Sequence, residues 1–428
     1  MSAPEFIKQA SAKAVEADKS LSEAVAELLA KLEQGGETAA RQMARDLDRW
    51  DGEIVVSDEA IEAACARVPD RLKDDIAWAH ENIARFALAQ RDSIRETEVE
   101  LRPGLIAGQR LIPVQAAGCY VPGGRYSHIA SAMMTVTTAK MAGVPHVAAV
   151  SPPRKDAPAG VPDAILYTLK LCGADRILAL GGIQGVAAMA YGMFGLPKAD
   201  ILVGPGNQYV AEAKRLLYGR VGIDMVAGPT DSLVVADRTA DPVVVAWDLI
   251  GQAEHGANSP VWLVTDSTEL AREVARLAPT FAEELPEPNR SAALAAWEGL
   301  GEIILCRNRD EMAAEADRIA PEHLHVQAAD LEWWKGRLRA YGSLFLGAES
   351  TVAFGDKAAG TNHVLPTSGA ARYTGGLSVH KFLKTVTWQR VDTRALPRLA
   401  SVTASISRFE GMEGHARTAD IRLERLAK

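Results

Sequence analysis

Four short segments of the chain combine imidazole, carboxylate and amide side chains at spacings that can do chemistry. In Gly251-Gln252-Ala253-Glu254-His255-Gly256, Gln252 and His255 stand three apart. They share a face if the segment is helical. An imidazole beside an amide or carboxylate oxygen suits a borderline cation such as zinc, although a single His near a glycine cap also reads as a satisfied helix end. Pro321-Glu322-His323-Leu324-His325 packs a carboxylate and two imidazoles together. Adjacent acid and base groups at a strand start can transfer protons. In an extended chain neighbours point to opposite faces, so Glu322 and His323 could serve different steps; a solvated loop is the plain alternative. The run from Phe354 to His363 offers Asp356 as a hard oxygen ligand and His363 as a donor or acceptor. Glu410-Gly411-Met412-Glu413-Gly414-His415 adds another carboxylate and imidazole near the end. Together the four suggest a metal-assisted enzyme.

The elements that must position them alternate. Residues 1 to about 100 read as helical: SLSEAVAELLAKLEQGG puts Leu21, Val25, Leu28, Leu29 and Leu32 on one face and stops at Gly35-Gly36. From about 111, short apolar runs precede glycine-rich turns and helical periods. VPHVAAVSPP, DRILALGG and ADILVGPGN form one series; SLVVADRT, PVWLVTD, EIILCRN, HLHVQ and SLFLGAES form another. Such runs read as buried parallel strands in βαβ order. Two α/β lobes are therefore expected. One comprises 119–234 and the other 235–375, the latter completed by residues 1–118; a charged, helical tail of 376–428 is too small for its own core. The turns Tyr120-Val121-Pro122-Gly123-Gly124, Gly181-Gly182-Ile183-Gln184-Gly185 and Gly204-Pro205-Gly206-Asn207 follow strands. Glycines there let a ligand approach the backbone, or they are ordinary βα turns. No G-x-G-x-x-G is present, so the standard dinucleotide fingerprint is missing.

Composition narrows the class. The chain has 428 residues, 48% hydrophobic and 24% charged, with a formal net charge of −8. That excludes disordered, collagen-like and fibrous chains and argues against a nucleic-acid binder, which needs a basic surface. Cys65, Cys119, Cys172 and Cys306 lie far apart, which excludes a disulfide scaffold and a Cys-type zinc site. No apolar run approaches the ~18–20 residues of a membrane span, and the N-terminus lacks a signal-peptide pattern. A cytoplasmic protein is expected.

The chain resembles the histidinol dehydrogenase family along nearly its whole length. The blocks that carry the resemblance are YVPGG at 120, GGIQ at 181, GPGNQYVAEAKR at 204, AGPTDSLVVAD at 227, QAEHG at 252, APEHLHV at 320, GDKAAGTNHVLPTSGAAR at 355 and EGMEGH at 410. The resemblance implies an α/β fold of two incomplete Rossmann-like lobes with a helical N-terminal segment and tail. It implies a homodimer whose tails complete each other's sites, and zinc- and NAD-dependent oxidation of a primary alcohol through a bound aldehyde to a carboxylate. By motif, the ligands of one Zn²⁺ per subunit would be Gln252, His255, Asp356 and, in trans, His415. Glu322 and His323 match the catalytic pair, Tyr120, Gln184 and Asn207 the NAD contacts, and Thr230, His363 and Glu410 substrate contacts; the metal ligands and His323 also face substrate.

Departures from the family pattern gather around the substrate. Arg125-Tyr126-Ser127-His128 replaces the usual Pro-Ser pair, Ala227-Gly228-Pro229-Thr230-Asp231 replaces AGPSE, and Ala257-Asn258-Ser259-Pro260 follows QAEHG. Arg125 and His128 are therefore candidate substrate contacts, since a guanidinium binds an oxygen-rich anion bidentately. In this the chain is similar to the sulfopropanediol 3-dehydrogenase branch, which oxidises 2,3-dihydroxypropane-1-sulfonate to sulfolactate. L-Histidinol is the alternative substrate. A non-catalytic binding protein and a zinc hydrolase on the same fold are remote readings, opposed by retention of Glu322 and His323 and of the cofactor positions.

Overall fold

The apolar runs form strands because they carry few polar interruptions and are buried on both faces. The computed structural model describes residues 5–11, 19–123, 128–226 and 228–427. The chain divides into two units, Met1–Gln90 with Val114–Phe382, and Arg91–Pro113 with Leu383–Lys428.

The first unit holds two sheets. Five parallel strands lie in the order Arg176–Ala179, His146–Ser151, Ala116–Tyr120, Ile201–Val203, Gly222–Ile223. The strand order reverses between Ala116–Tyr120 and Ile201–Val203, a topological switch point where α/β sheets open a crevice beyond their carboxyl ends. The second sheet has six strands: Glu5–Lys8, Glu302–Leu305, Val261–Thr265, Ser232–Ala236, His323–Gln327 and Ser343–Leu346. Only Glu5–Lys8 is antiparallel. His323 pairs in register with Ser232 and Ser343, so the start of its strand sits at the amino edge of this sheet.

One expectation is corrected here. The N-terminal helix Lys19–Met43 does not complete the six-stranded lobe. Val25, Leu29 and Leu32 are buried in one cluster with Val186, Met189, Phe194 and Leu217 of the five-stranded lobe. Only Glu5–Lys8 joins the six-stranded sheet. The first helical run ends at the glycine pair, as its sequence suggests: Gly36 is non-helical (φ 54°, ψ −140°), and a second helical run leads from there to Met43.

The second unit contains an antiparallel sheet in the order Leu383–Val391, Leu105–Pro113, Thr97–Arg102. The tail is mostly helical, as expected, but it also contributes the strand Leu383–Val391. Helices Leu396–Phe409 and Glu413–Leu426 follow, packed through Ala400, Ala404, Ala416 and Ala419. Small side chains let the two backbones approach, and leave Ile406, Phe409, Met412 and Ile421 exposed. Among the described residues no helix is long and apolar enough to cross a membrane.

Candidate active site

Two short stretches before parallel strands build the centre. Asp231 immediately precedes Ser232–Ala236, and Pro321-Glu322 precede His323–Gln327. Asp231 Oδ1 accepts the Glu322 backbone N–H at 2.6 Å, and the Asp231 N–H donates to Glu322 Oε2 at 3.1 Å. Asp231 Oδ2 accepts the Ser368 N–H at 2.8 Å. This reciprocal clamp overturns the expectation that Glu322 and His323 point apart. Glu322 lies before the extended strand, after Ala320 in the left-handed region (φ 52°). Its carboxylate folds back to within 3.7 Å of His323 Nδ1.

His323 Nδ1 lies 3.3 Å from the Asp231 carbonyl, which can only accept, so Nδ1 carries a proton. Nε2 is buried, lies 3.4 Å from Asp356 Oδ1 and makes no well-formed hydrogen bond. Burial pushes Glu322 up to about 8, reinforced by the Asp231 and Asp356 carboxylates. Burial pushes His323 down, but the Glu322 and Asp356 charges outweigh it and hold the imidazole above its ordinary value. For Asp356, burial favours the neutral form, but the His323, His363 and His255 imidazoles hold the carboxyl well below the usual range. An acid and a base with raised affinity for protons, side by side in a dry site, suit proton transfer.

Of the candidate metal donors, His255 and Asp356 lie close enough to each other and to His323 for their charges to interact. Helix Pro242–Ala253 starts at Asp241, whose side chain accepts the Val243 N–H at 2.8 Å, with Pro242 in its first turn. Its C-terminal turn carries Gln252, with His255 just beyond; the negative end of a helix favours a cation. Gln252 is buried and its Oε1 has no hydrogen-bond partner. Asp356 is buried in helix Val352–Lys357. An orphaned amide oxygen, a carboxylate and an imidazole fit a divalent cation. Among the described residues no three His, Cys, Asp or Glu side chains form a metal cluster. His415 and Glu410 belong to the second unit, where both are exposed.

Two substrate-side candidates, His363 and His128, lie near one another on the Asp356 side. His363 Nδ1 donates to the Asp356 carbonyl at 2.9 Å, leaving Nε2 to accept from Ser131 Oγ at 3.1 Å. His128 is held down to about 4 by burial and then by the charges of His363, Lys357 and His255. Thr230 is partly buried beside Asp231. Arg125 lies outside the described residues. On the five-stranded sheet, the Tyr120 hydroxyl accepts the Gly182 N–H at 3.0 Å, and Gln184 Nε2 donates to Asp48 Oδ2 at 2.8 Å. Asn207 caps helix Gln208–Leu217 by accepting from Tyr209 and Val210 N–H groups at 3.0 and 3.1 Å. Tyr120 and Asn207 flank the switch point.

Several residues were not singled out from the sequence. Asp231, Asp48 and Lys357 are three. Lys214 and Asp224 form a buried ion pair, and Lys214 Nζ also donates to the Gly204 carbonyl at 2.9 Å. Gly204 needs its positive φ of 111°, and a Cβ there would come within 2.2 Å of the Tyr120 carbonyl. Asp231, Lys214 and Lys357 lie inside the quoted motifs, which is their signal; Asp48 lies in none of them.

The chain is similar to known proteins over nearly its whole length. A histidinol dehydrogenase family model matches residues 11–423. A histidinol dehydrogenase homolog of Ruegeria pomeroyi is 69% identical over 399 residues, covering 93% of this chain and 92% of that protein. A sulfopropanediol 3-dehydrogenase of the same organism is 61% identical over 419 residues, covering 98% and 96%. The crystal structure of histidinol dehydrogenase from Elizabethkingia anophelis superposes with a TM-score of 0.92 at 32% identity, covering 97% of this chain and 95% of that one.

Proposed function

The chain belongs to the histidinol dehydrogenase family, whose members are NAD-dependent dehydrogenases, and from that premise we propose that it oxidises 2,3-dihydroxypropane-1-sulfonate to sulfolactate. The observation that carries the substrate is the 61% identity to a sulfopropanediol 3-dehydrogenase, against 32% to the histidinol dehydrogenase of known structure. The overall change is alcohol, water and two NAD⁺ to carboxylate, two NADH and three protons.

Zinc, when bound, supplies polarisation of the substrate oxygen, and NAD supplies the hydride acceptor. Gln252, His255 and Asp356 would hold the metal together with the partner subunit's His415, in a homodimer that covers the exposed apolar face of the tail. Tyr120, Gln184 and Asn207 would hold the cofactor at the switch point. His323 accepts the hydroxyl proton at Nε2 while the carbinol carbon loses hydride. Asp231 fixes the ring through Nδ1, so no reorientation is required. Glu322, a stronger base than an exposed carboxylate, takes a proton from water as the water oxygen adds to the aldehyde carbon. The resulting gem-diolate loses the second hydride and then its remaining hydroxyl proton, becoming the carboxylate. Each base contributes about 10²–10⁴-fold.

The sulfonate end needs local donors, because the net charge of −8 does not attract an anion. Arg125 and His128 are the candidates from sequence, and Lys357 joins them. Lys357 is exposed, and its charge lowers His128 and His363 in addition to their burial. A neutral His128 still offers an N–H to a sulfonate oxygen. Thr230 and His363, with the partner subunit's Glu410, would contact the remainder of the substrate. L-Histidinol is the second reading, favoured by the structural likeness to the Elizabethkingia enzyme across 97% of this chain. Initial rates of NADH formation with the two alcohols, side by side, separate them. Higher kcat/KM for the sulfonate supports the proposal, and a preference for histidinol rejects it.

A further inference from the structure

Gln184 is buried, yet only one end of its amide is satisfied. Nε2 donates to Asp48 Oδ2 at 2.8 Å, whereas Oε1 has no hydrogen-bond partner. A carboxylate can only accept. Reversing the amide would set Oε1 against Asp48, so the orientation is fixed. The Gly181 N–H also donates to Asp48. Gly182 has φ 52°, and a Cβ there would stand 3.1 Å from Gln184 Oε1; its glycine leaves that space open. The Gly182 N–H is already taken by the Tyr120 hydroxyl, so it cannot supply the missing donor. Asp48 itself ends a π-helical turn, Ala44–Asp48, followed by Arg49 in the left-handed region (φ 53°). Such turns recur at functional sites, and this one aims a carboxylate from the N-terminal segment at the end of a distant strand.

We propose that Asp48 is a positioning residue of the nucleotide lobe: it locks Gln184 so that Oε1 is presented to a hydroxyl or amide donor of the bound dinucleotide. The inference rests on the NAD reading above. Gln184 supplies the contact, and Asp48 decides which of its two atoms faces the ligand. An unlocked amide would spend part of its time offering an N–H where an acceptor is needed.

NADH binding to the full-length protein, followed by nicotinamide fluorescence without alcohol present, tests this. Asp48→Ala and Gln184→Ala are each expected to raise Kd about tenfold, the effect of one ligand hydrogen bond. The double variant should exceed the weaker-binding single by no more than about twofold, because the two residues act as one unit. Effects that multiply towards a hundredfold, or an Asp48→Ala Kd within about twofold of the unsubstituted protein, would overturn the proposal. Should Asp48→Ala not fold, the exchanged pair decides. Gln184→Glu should weaken binding by carboxylate repulsion, and adding Asp48→Asn should recover at least about threefold by restoring the bond with donor and acceptor exchanged. No recovery refutes the inference. No NADH binding by the unsubstituted protein would overturn the NAD reading as well, which distinguishes the two failures.

Discussion

Replacing Glu322 by Gln separates the two half-reactions. The amide is nearly isosteric, and its oxygen can still accept the Asp231 N–H now 3.1 Å from Oε2. The Glu322 backbone N–H, bound to Asp231 at 2.6 Å, is untouched. The clamp should therefore survive, and His323 should keep its Nδ1 contact with the Asp231 carbonyl. What disappears is a carboxylate raised from 4.5 to about 8, a base whose loss costs about 10²–10⁴-fold in a step that depends on it. Alcohol oxidation uses His323 and should fall by less than about tenfold. In a stopped-flow single turnover, the variant should release one equivalent of NADH rapidly and the second far more slowly. Equal loss of both equivalents, or two equivalents at an unchanged ratio, would refute a water-activating role for Glu322.

Other outcomes follow from the same geometry. His323→Asn should lower the first NADH equivalent by about 10²–10⁴-fold, and rapid kinetics that leave this phase intact would move the first base elsewhere. Lys357→Gln and Arg125→Ala should each raise KM for the sulfonate about threefold to tenfold while barely changing that for histidinol, as loss of a charge-assisted contact implies; an unchanged sulfonate KM places the residue outside the site. Burial holds His80 below its ordinary 6.5. Above pH 6.5 it is neutral folded and unfolded and costs nothing. As pH falls below that value the unfolded chain takes the proton first, so stability is lost until the lower folded value is passed. Urea midpoints at pH 7.5 and 5 should differ less in His80→Gln than in the parent, and identical differences would contradict the burial.

Much of this was legible because parallel strands buried on both faces write themselves as unbroken apolar runs. ILALGG and LVVAD are such runs, and both end where the structure places a strand end. The three-stranded sheet of the second unit was not legible. Thr97–Arg102 alternates Val99 and Leu101 with Glu98, Glu100 and Arg102, but it is short and exposed at every position, so its stripe does not read as a core face, and Leu383–Val391 alternates too weakly to be told from a charged helix. Within the site, His and Gly clusters stood out by composition. The carboxylates that arrange them did not. Asp231 meets Glu322 across 91 residues, and Asp48 meets Gln184 across 136. No local period encodes a side chain that caps a backbone N–H so far along the chain. The N-terminal helix packs on the five-stranded lobe, which its sequence does not show for the same reason: an amphipathic stripe states that a face is buried, not against what.

The proposed reaction is a four-electron oxidation of an anionic alcohol at one site. Its most direct test is the total NADH formed when 2,3-dihydroxypropane-1-sulfonate is the limiting reagent and NAD is in excess. Two equivalents, with sulfolactate as the product, are predicted. One equivalent with release of free aldehyde, or no NADH from the sulfonate while histidinol yields two, would contradict it.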